Sequence, residues 1–154
     1  MQPPPFSKGE NSKECPMSKL IRFGVSIDEE LLKTFDDYIE RKRYTNRSEA
    51  LRDLIRNHLV EEEWDDNKET VGTITMVYDH HVPELTERLT ELQHQYNELI
   101  QSTLHIHLDH HRCLEVLVVR GQSSRIKEIA NGLIATKGVK HGKLTATTTG
   151  KDLN

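Results

Sequence analysis

Along residues 20–27, "LIRFGVSI", apolar and polar positions alternate: Ile21, Phe23, Val25 and Ile27 point one way, Arg22, Gly24 and Ser26 the other. A period of two predicts a strand buried on one face only. Asp28 then supplies an N-cap for a helix with apolar positions Leu31, Leu32, Phe35, Tyr38 and Ile39. The stretch "RKRYTN" breaks it. A second helix follows, capped by Asn46 with Glu49 three residues on as in a capping box, and striped by Ala50, Leu51, Leu54, Ile55 and Leu59. One strand and two short helices, about 45 residues, cannot close a core alone. A lone strand also leaves both edges unpaired. The economical partner is a second copy of the same segment.

Past residue 70 the pattern changes. It predicts a strand over 71–78, then a helix over 83–101 with Leu85, Leu89, Leu92, Tyr96, Leu99 and Ile100 on one side. A strand over 103–108, a turn at "DHHR" and a strand over 113–121 come next. A helix over 123–136 carries Ile126, Ile129, Ala130, Leu133 and Ile134, and a strand over 138–147 closes the series. The order βαββαβ predicts a ferredoxin-like, ACT-like unit with both helices on one face of an antiparallel sheet, and an α+β fold overall. Residues 1–17 read as a disordered, Pro-rich tail, 18–63 as the strand–helix–helix unit and 64–70 as an acidic linker. Residues 71–148 form the βαββαβ domain and 149–154 a C-terminal tail. Met17, just ahead of "SKLIRFGVSI", is a candidate start.

Composition narrows the classes. The 154 residues are 30% charged and 5% aromatic, a thin apolar supply for one domain or two small ones. No run of 18 or more apolar residues argues for a membrane span, and the N-terminus lacks the apolar stretch of a signal peptide. Cys15 and Cys113 are the only cysteines, so a disulfide framework is not expected and a reducing cytoplasm is the better setting. The net charge of -4 speaks against a nucleic-acid partner, but its distribution does not. "RKRYTNR" (41–47) carries four cations and no acid, whereas "EEEWDDNKE" (61–69) sets six acids against Lys68. Such asymmetry suits a small DNA-contacting module joined to an acidic linker.

The candidate chemistry sits in "LHIHLDHHRC" (104–113), which holds four of the nine histidines and Cys113. His105 and His107, two apart on a strand, share a face. Leu104, Ile106 and Leu108 are expected on the opposite face, against the helices, matched by Leu114, Val116 and Val118 on the next strand. Cys113 and Glu115 then join the two histidines on the sheet face away from the core. Parity thus gathers two imidazoles and a thiol, a metal-ligand set rather than a chance surface pair. His94 falls diametrically opposite the apolar stripe of its helix, and a helix roughly 10 Å across separates it from the free sheet face. If His94 is a ligand, it serves a neighbouring chain; taken alone, it reads equally well as a solvated histidine. Zinc is the base-rate ion for such donors, and Ni(II) or Cu(II) suits tetragonal N/S coordination. His80, His81, His110 and His111 read as solvated loop residues, and His58 and His141 as structural.

The segments "LIRFGVSID…YTNRSEALRDLI" and "QH…LHIHLDHHRCLEVLVVRG…GVKHGKL" closely resemble the nickel-responsive transcriptional regulators (NikR), of the ribbon-helix-helix (CopG/NikR) class. The likeness runs from Ser18 to Thr148. It implies a nickel-dependent regulator, most often a repressor, and not an enzyme. It further implies a homotetramer, built as a dimer of dimers on its C-terminal domains, whose N-terminal ribbon-helix-helix domains pair to bind operator DNA. One square-planar nickel per subunit would be held by His105, His107 and Cys113 of one chain and His94 of another, with Glu115 placed to orient an imidazole.

In that class, two N-terminal strands pair into a ribbon that enters the major groove. Arg22, Gly24 and Ser26 would face the bases, although several relatives carry a hydroxyl residue where this chain has Gly24. Arg47 and Ser48 would meet phosphate at a helix N-terminus. The resemblance also implies a second, weaker cation at Glu49 and Asp53, a like-charge pair that Arg52 and Arg56 could neutralise instead. Two rival classes remain: an enzyme using an open coordination position with Glu115 as base, and a sensor binding a small molecule between subunits.

Overall fold

A computed structural model describes residues 19–153; the expected tail over 1–17 lies outside them. Helix α1 (Glu29–Lys42) begins where the Asp28 carboxylate accepts the Glu30 N–H at 3.0 Å, and it ends on Arg43 in the left-handed conformation. Helix α2 (Arg47–Asp65) begins on Asn46, whose side chain accepts the Glu49 N–H at 3.0 Å. The helix runs through most of the acidic stretch. Residues 64–70, expected as a linker, hold the end of α2, a short turn and the start of strand β1 (Glu69–Asp79). Trp64 is buried there, its indole N–H donating to the Thr147 carbonyl at 2.8 Å, while the Ser123 hydroxyl donates to the Trp64 carbonyl. The stretch is thus docked on the C-terminal domain.

The expected strand over 20–27 is not formed. Residues 19–28 carry no ladder, and Ile21 and Phe23 are 77% and 70% exposed. The physical reason is the one expected of a lone strand: it needs a partner edge, and a single chain supplies none. The apolar stripes of α1 and α2 share this condition, with Leu31, Leu54, Ile55 and Leu59 exposed and only Ala50 of the expected set fully buried. An open groove results, lined by residues such as Phe23, Val25, Ile27, Phe35, Leu51 and Ile55.

The remaining elements are α3 (Leu85–Gln95), β2 (Ile100–His107), β3 (Arg112–Gln122), α4 (Ser123–Ile134) and β4 (Val139–Thr147). The four strands form one antiparallel sheet in the order β2-β3-β1-β4, giving the βαββαβ arrangement. Helix α3 is shorter than the period suggested. The Tyr96 N–H turns back to the Gln93 carbonyl at 3.2 Å, and Leu99 reaches the core from the following turn instead. Close packing is visible at Gly142, where a Cβ would lie 2.5 Å from Ile134 Cγ1, so only glycine lets β4 approach α4.

The faces of the sheet are the reverse of those expected. Ile74, Met76 and Tyr78 of β1 and Cys113, Leu117 and Val119 of β3 are buried under Leu85, Leu89, Ile126, Ile129 and Leu133 of the helices. Leu104, Ile106 and Leu108 are exposed, and Leu114, Val116 and Val118 are half-buried on the open face. Strand β3 is apolar on both parities, so alternation groups its side chains without saying which group meets the helices. Strand β1 decides the matter, since its open-face set includes Thr73 and Thr75 while the bulk of its other set is Ile74, Met76 and the ring of Tyr78.

Candidate metal centre

The β2–β3 ladder sets His105 opposite Glu115 and His107 opposite Cys113. Directly opposed residues share a face, so the expected grouping of two imidazoles, thiol and carboxylate is present. It lies on the helix-covered side of the sheet, not the free side. Because β2 is the edge strand, both histidines remain exposed while Cys113 and Glu115 are buried. The cluster is therefore half sunk into the core and open along one rim.

Cys113 Sγ lies 3.3 Å from His107 Nδ1 and 3.2 Å from His80 Nδ1. Donor atoms of His80, His107 and Cys113 all fall within 4.8 Å of one another. The rings of His105 and His107 meet edge to face at 5.0 Å between centroids, and His80 and His107 do so at 5.6 Å. Burial holds the Cys113 thiol above its usual range, and the carboxylates of Asp79, Glu115 and Asp109 push the same way. Burial holds His80 below the usual imidazole range, assisted by the neighbouring imidazoles. The cluster therefore favours a neutral imidazole at His80 and a protonated thiol until a cation displaces the proton. This mixed imidazole–thiolate donor set fits a late first-row divalent ion.

A polar chain lies beneath His105. The Tyr78 hydroxyl donates to Glu115 Oε2 at 2.7 Å and sits 3.4 Å from His105 Nδ1. Gln93 Nε2 donates to Glu115 Oε1 at 2.8 Å. With its proton committed to Glu115, the Tyr78 oxygen can only accept from His105 Nδ1–H, which leaves His105 Nε2 with its lone pair free. Burial, then Glu115, raises Tyr78 well above the usual phenol range, so its proton stays in place.

His94 follows Gln93 on α3 and is exposed; it does not join the cluster within this chain. His80 does, although its sequence position suggested a solvated loop. Its signal was the β1–β3 register: Tyr78 pairs with Cys113, so the residues just past Tyr78 come up beside the thiol. In the N-terminal part, Arg22, Gly24 and Ser26 are exposed on the unpaired segment, and Ser48 is exposed in the first turn of α2. Arg47 makes two 2.7 Å bonds to Asp36. Glu49 is bonded by Arg52 at 2.5 Å; Asp53 accepts the Tyr44 hydroxyl at 3.0 Å, with Arg56 at 3.9 Å.

Two family profiles match segments of the chain. "NikR C terminal nickel binding domain" matches residues 71–147, and "Ribbon-helix-helix protein, copG family" matches residues 21–62. A protein of Geobacter sulfurreducens, provisionally named a nickel-responsive regulator, is 60% identical over 90% of this chain and its own whole length. One of Nitratidesulfovibrio vulgaris with the same provisional name is 56% identical over 89% of this chain and 99% of its own. The chain belongs to the nickel-responsive regulators. It is a regulator and not an enzyme, with a ribbon-helix-helix domain ahead of a nickel-binding domain. As a nickel-responsive regulator it carries its imidazole–thiol cluster inside the segment matched as nickel-binding. No described helix is long and apolar enough to cross a membrane.

Proposed function

We propose that the chain is a nickel-dependent repressor acting in the cytoplasm on operator DNA. Two copies pair their 20–27 segments into a ribbon that presents Arg22, Gly24 and Ser26 to the major groove, while Arg47 and Ser48 meet phosphate. The unpaired, apolar underside of that segment and the open groove against α1 and α2 support this pairing. Arg47 would exchange Asp36 for phosphate, an exchange between two exposed charge partners.

One nickel per subunit is assigned to His105, His107 and Cys113 of one copy and His94 of a second, within a tetramer of two ribbon-helix-helix dimers. The observation that carries this reading is the meeting of Cys113 Sγ and His107 Nδ1 at 3.3 Å on the exposed rim of a buried thiol. Its support from His94 is the outward placement of that ring on α3. When bound, the ion supplies coordination bonds that hold donors of two copies together. The chain's own part is orientation: Glu115 and Tyr78 hold His105 in one tautomer, and Gln93 ties α3 to the same carboxylate. Ligand-dependent DNA affinity then requires only that the two arrangements of the dimers differ in affinity for the ion. A second, weaker cation at Glu49 and Asp53 would have to displace Arg52 and Arg56 from those carboxylates.

A competing ligand set has its own observation. His80 completes a trio with His107 and Cys113 inside one chain and could replace the foreign His94. A gel-shift on DNA upstream of the chain's own gene, with and without nickel, tests regulation; an unchanged shift defeats it. X-ray absorption on nickel-loaded His94→Ala and His80→Ala separates the ligand sets, since loss of one imidazole in only the first variant supports the shared site.

A further inference from the structure

We infer that Asp79 at the end of β1, His81 in the β1–α3 turn and His111 in the β2–β3 turn make a further metal site. It is distinct from the Cys113 cluster and suited to a divalent ion of the nickel–zinc class. Asp79 Oδ1 accepts the backbone N–H of His81 at 3.0 Å and lies 3.3 Å from His81 Nδ1. The His81 and His111 rings lie 5.0 Å apart between centroids, tilted at 52° to each other. Donor atoms of the three residues all lie within 4.8 Å of one another. Ligands on a tetrahedral ion with bonds of about 2.0–2.1 Å are separated by roughly 3.3 Å. The Asp79–His81 pair already has that spacing, and His111 needs only a small swing of an exposed ring.

The backbone holds the two turns in place. The His80 N–H donates to the His111 carbonyl at 3.3 Å, joining the turns beside the site. The guanidinium across the ladder does not compete for Asp79. Arg112 is its ladder partner, yet the guanidinium is engaged with Asp109, Nε to Oδ2 at 2.7 Å. Asp79 is thereby left to the two imidazoles. Two neutral nitrogens and one carboxylate make a harder donor set than the thiolate cluster, so this site binds more weakly and without a thiolate-to-metal absorption band. Its occupant would cross-link the turn bearing His80 to the turn that leads into Cys113.

Calorimetric titration of the full chain with Ni²⁺ alone, and separately Zn²⁺ alone, tests this, followed in parallel by near-ultraviolet absorption. The wild type is expected to show a tight event with a thiolate band and a weaker one without it. In the His81→Ala/His111→Ala variant the weaker event should weaken by about tenfold or more, with the thiolate band intact. In Cys113→Ala the band should vanish while the weaker event persists. A single event in the wild type, a weaker event unchanged in the double variant, or loss of both events in Cys113→Ala would overturn this further site. A tight event unchanged in Cys113→Ala would instead defeat the assignment of the Cys113 centre and leave this site standing. His111→Asn, a milder change at an exposed ring, repeats the test should the double variant fold poorly.

Discussion

The amide of Gln93 donates to Glu115 Oε1 at 2.8 Å, so the helix that displays His94 is tied to the carboxylate beneath His105. Glu115 is 6% exposed, and each of its oxygens has a donor. Glu115→Ala removes the acceptor for the buried Tyr78 hydroxyl and the half-buried Gln93 amide, at about 1–3 kcal/mol in stability. It also frees the orientation of His105, weakening nickel binding by about 10–100-fold. Urea denaturation of the metal-free protein and a competitive nickel titration read the two effects separately. Unchanged nickel affinity alongside lost stability would confine Glu115 to a packing role.

Nickel affinity should rise with pH. The Cys113 thiol is held up by burial first and by nearby carboxylates second, and binding must displace its proton. Between about pH 6.5 and 8.5, below the thiol's raised value, the gain approaches about tenfold per unit from this group. Metal-free stability runs the other way. The folded thiol keeps its proton through a window in which the unfolded thiol loses it, so stability falls as pH climbs from the ordinary thiol range through the raised value. Cys113→Ala should flatten both profiles; competition titrations and urea midpoints across pH check them.

Trp64 joins the acidic end of α2 to the sheet. The side chain is buried, and its N–H finds the Thr147 carbonyl. Trp64→Ala should cost about 3–5 kcal/mol, read as a lower urea midpoint. The Cys113 cluster is built on other elements, so the thiolate–nickel band should survive in the folded variant.

Val116 stands on the open face of the sheet, across the ladders from Leu104 and Thr75. If that face meets another copy, Val116→Asp buries a charge at the contact and the assembly falls apart. Sedimentation velocity should show a species smaller than the wild type. An unaltered distribution would place the contact elsewhere.

Much of this architecture is legible in the sequence. The caps at Asp28 and Asn46, the βαββαβ order and the grouping of His105, His107, Cys113 and Glu115 follow from local periodicity, which survives folding unchanged. The 20–27 segment was legible as a strand lacking a partner, and it stands unpaired in the single chain. His80 was not legible as part of the cluster. Its proximity to Cys113 depends on the β1–β3 register, a pairing across more than thirty positions of sequence.

Sequence by itself determined which side chains travel together, because strand parity and helical period are properties of the local backbone. Tertiary structure decided which way each group faces. Strand β3 offers Leu114, Val116 and Val118 on one side and Cys113, Leu117 and Val119 on the other, and both sides are apolar enough to be buried. Only the packing of α3 and α4 against Ile74, Met76 and Tyr78 of β1 breaks that tie. It sinks the thiol beneath the helices and leaves the imidazoles of the edge strand at the rim, where solvent and a second copy can reach them.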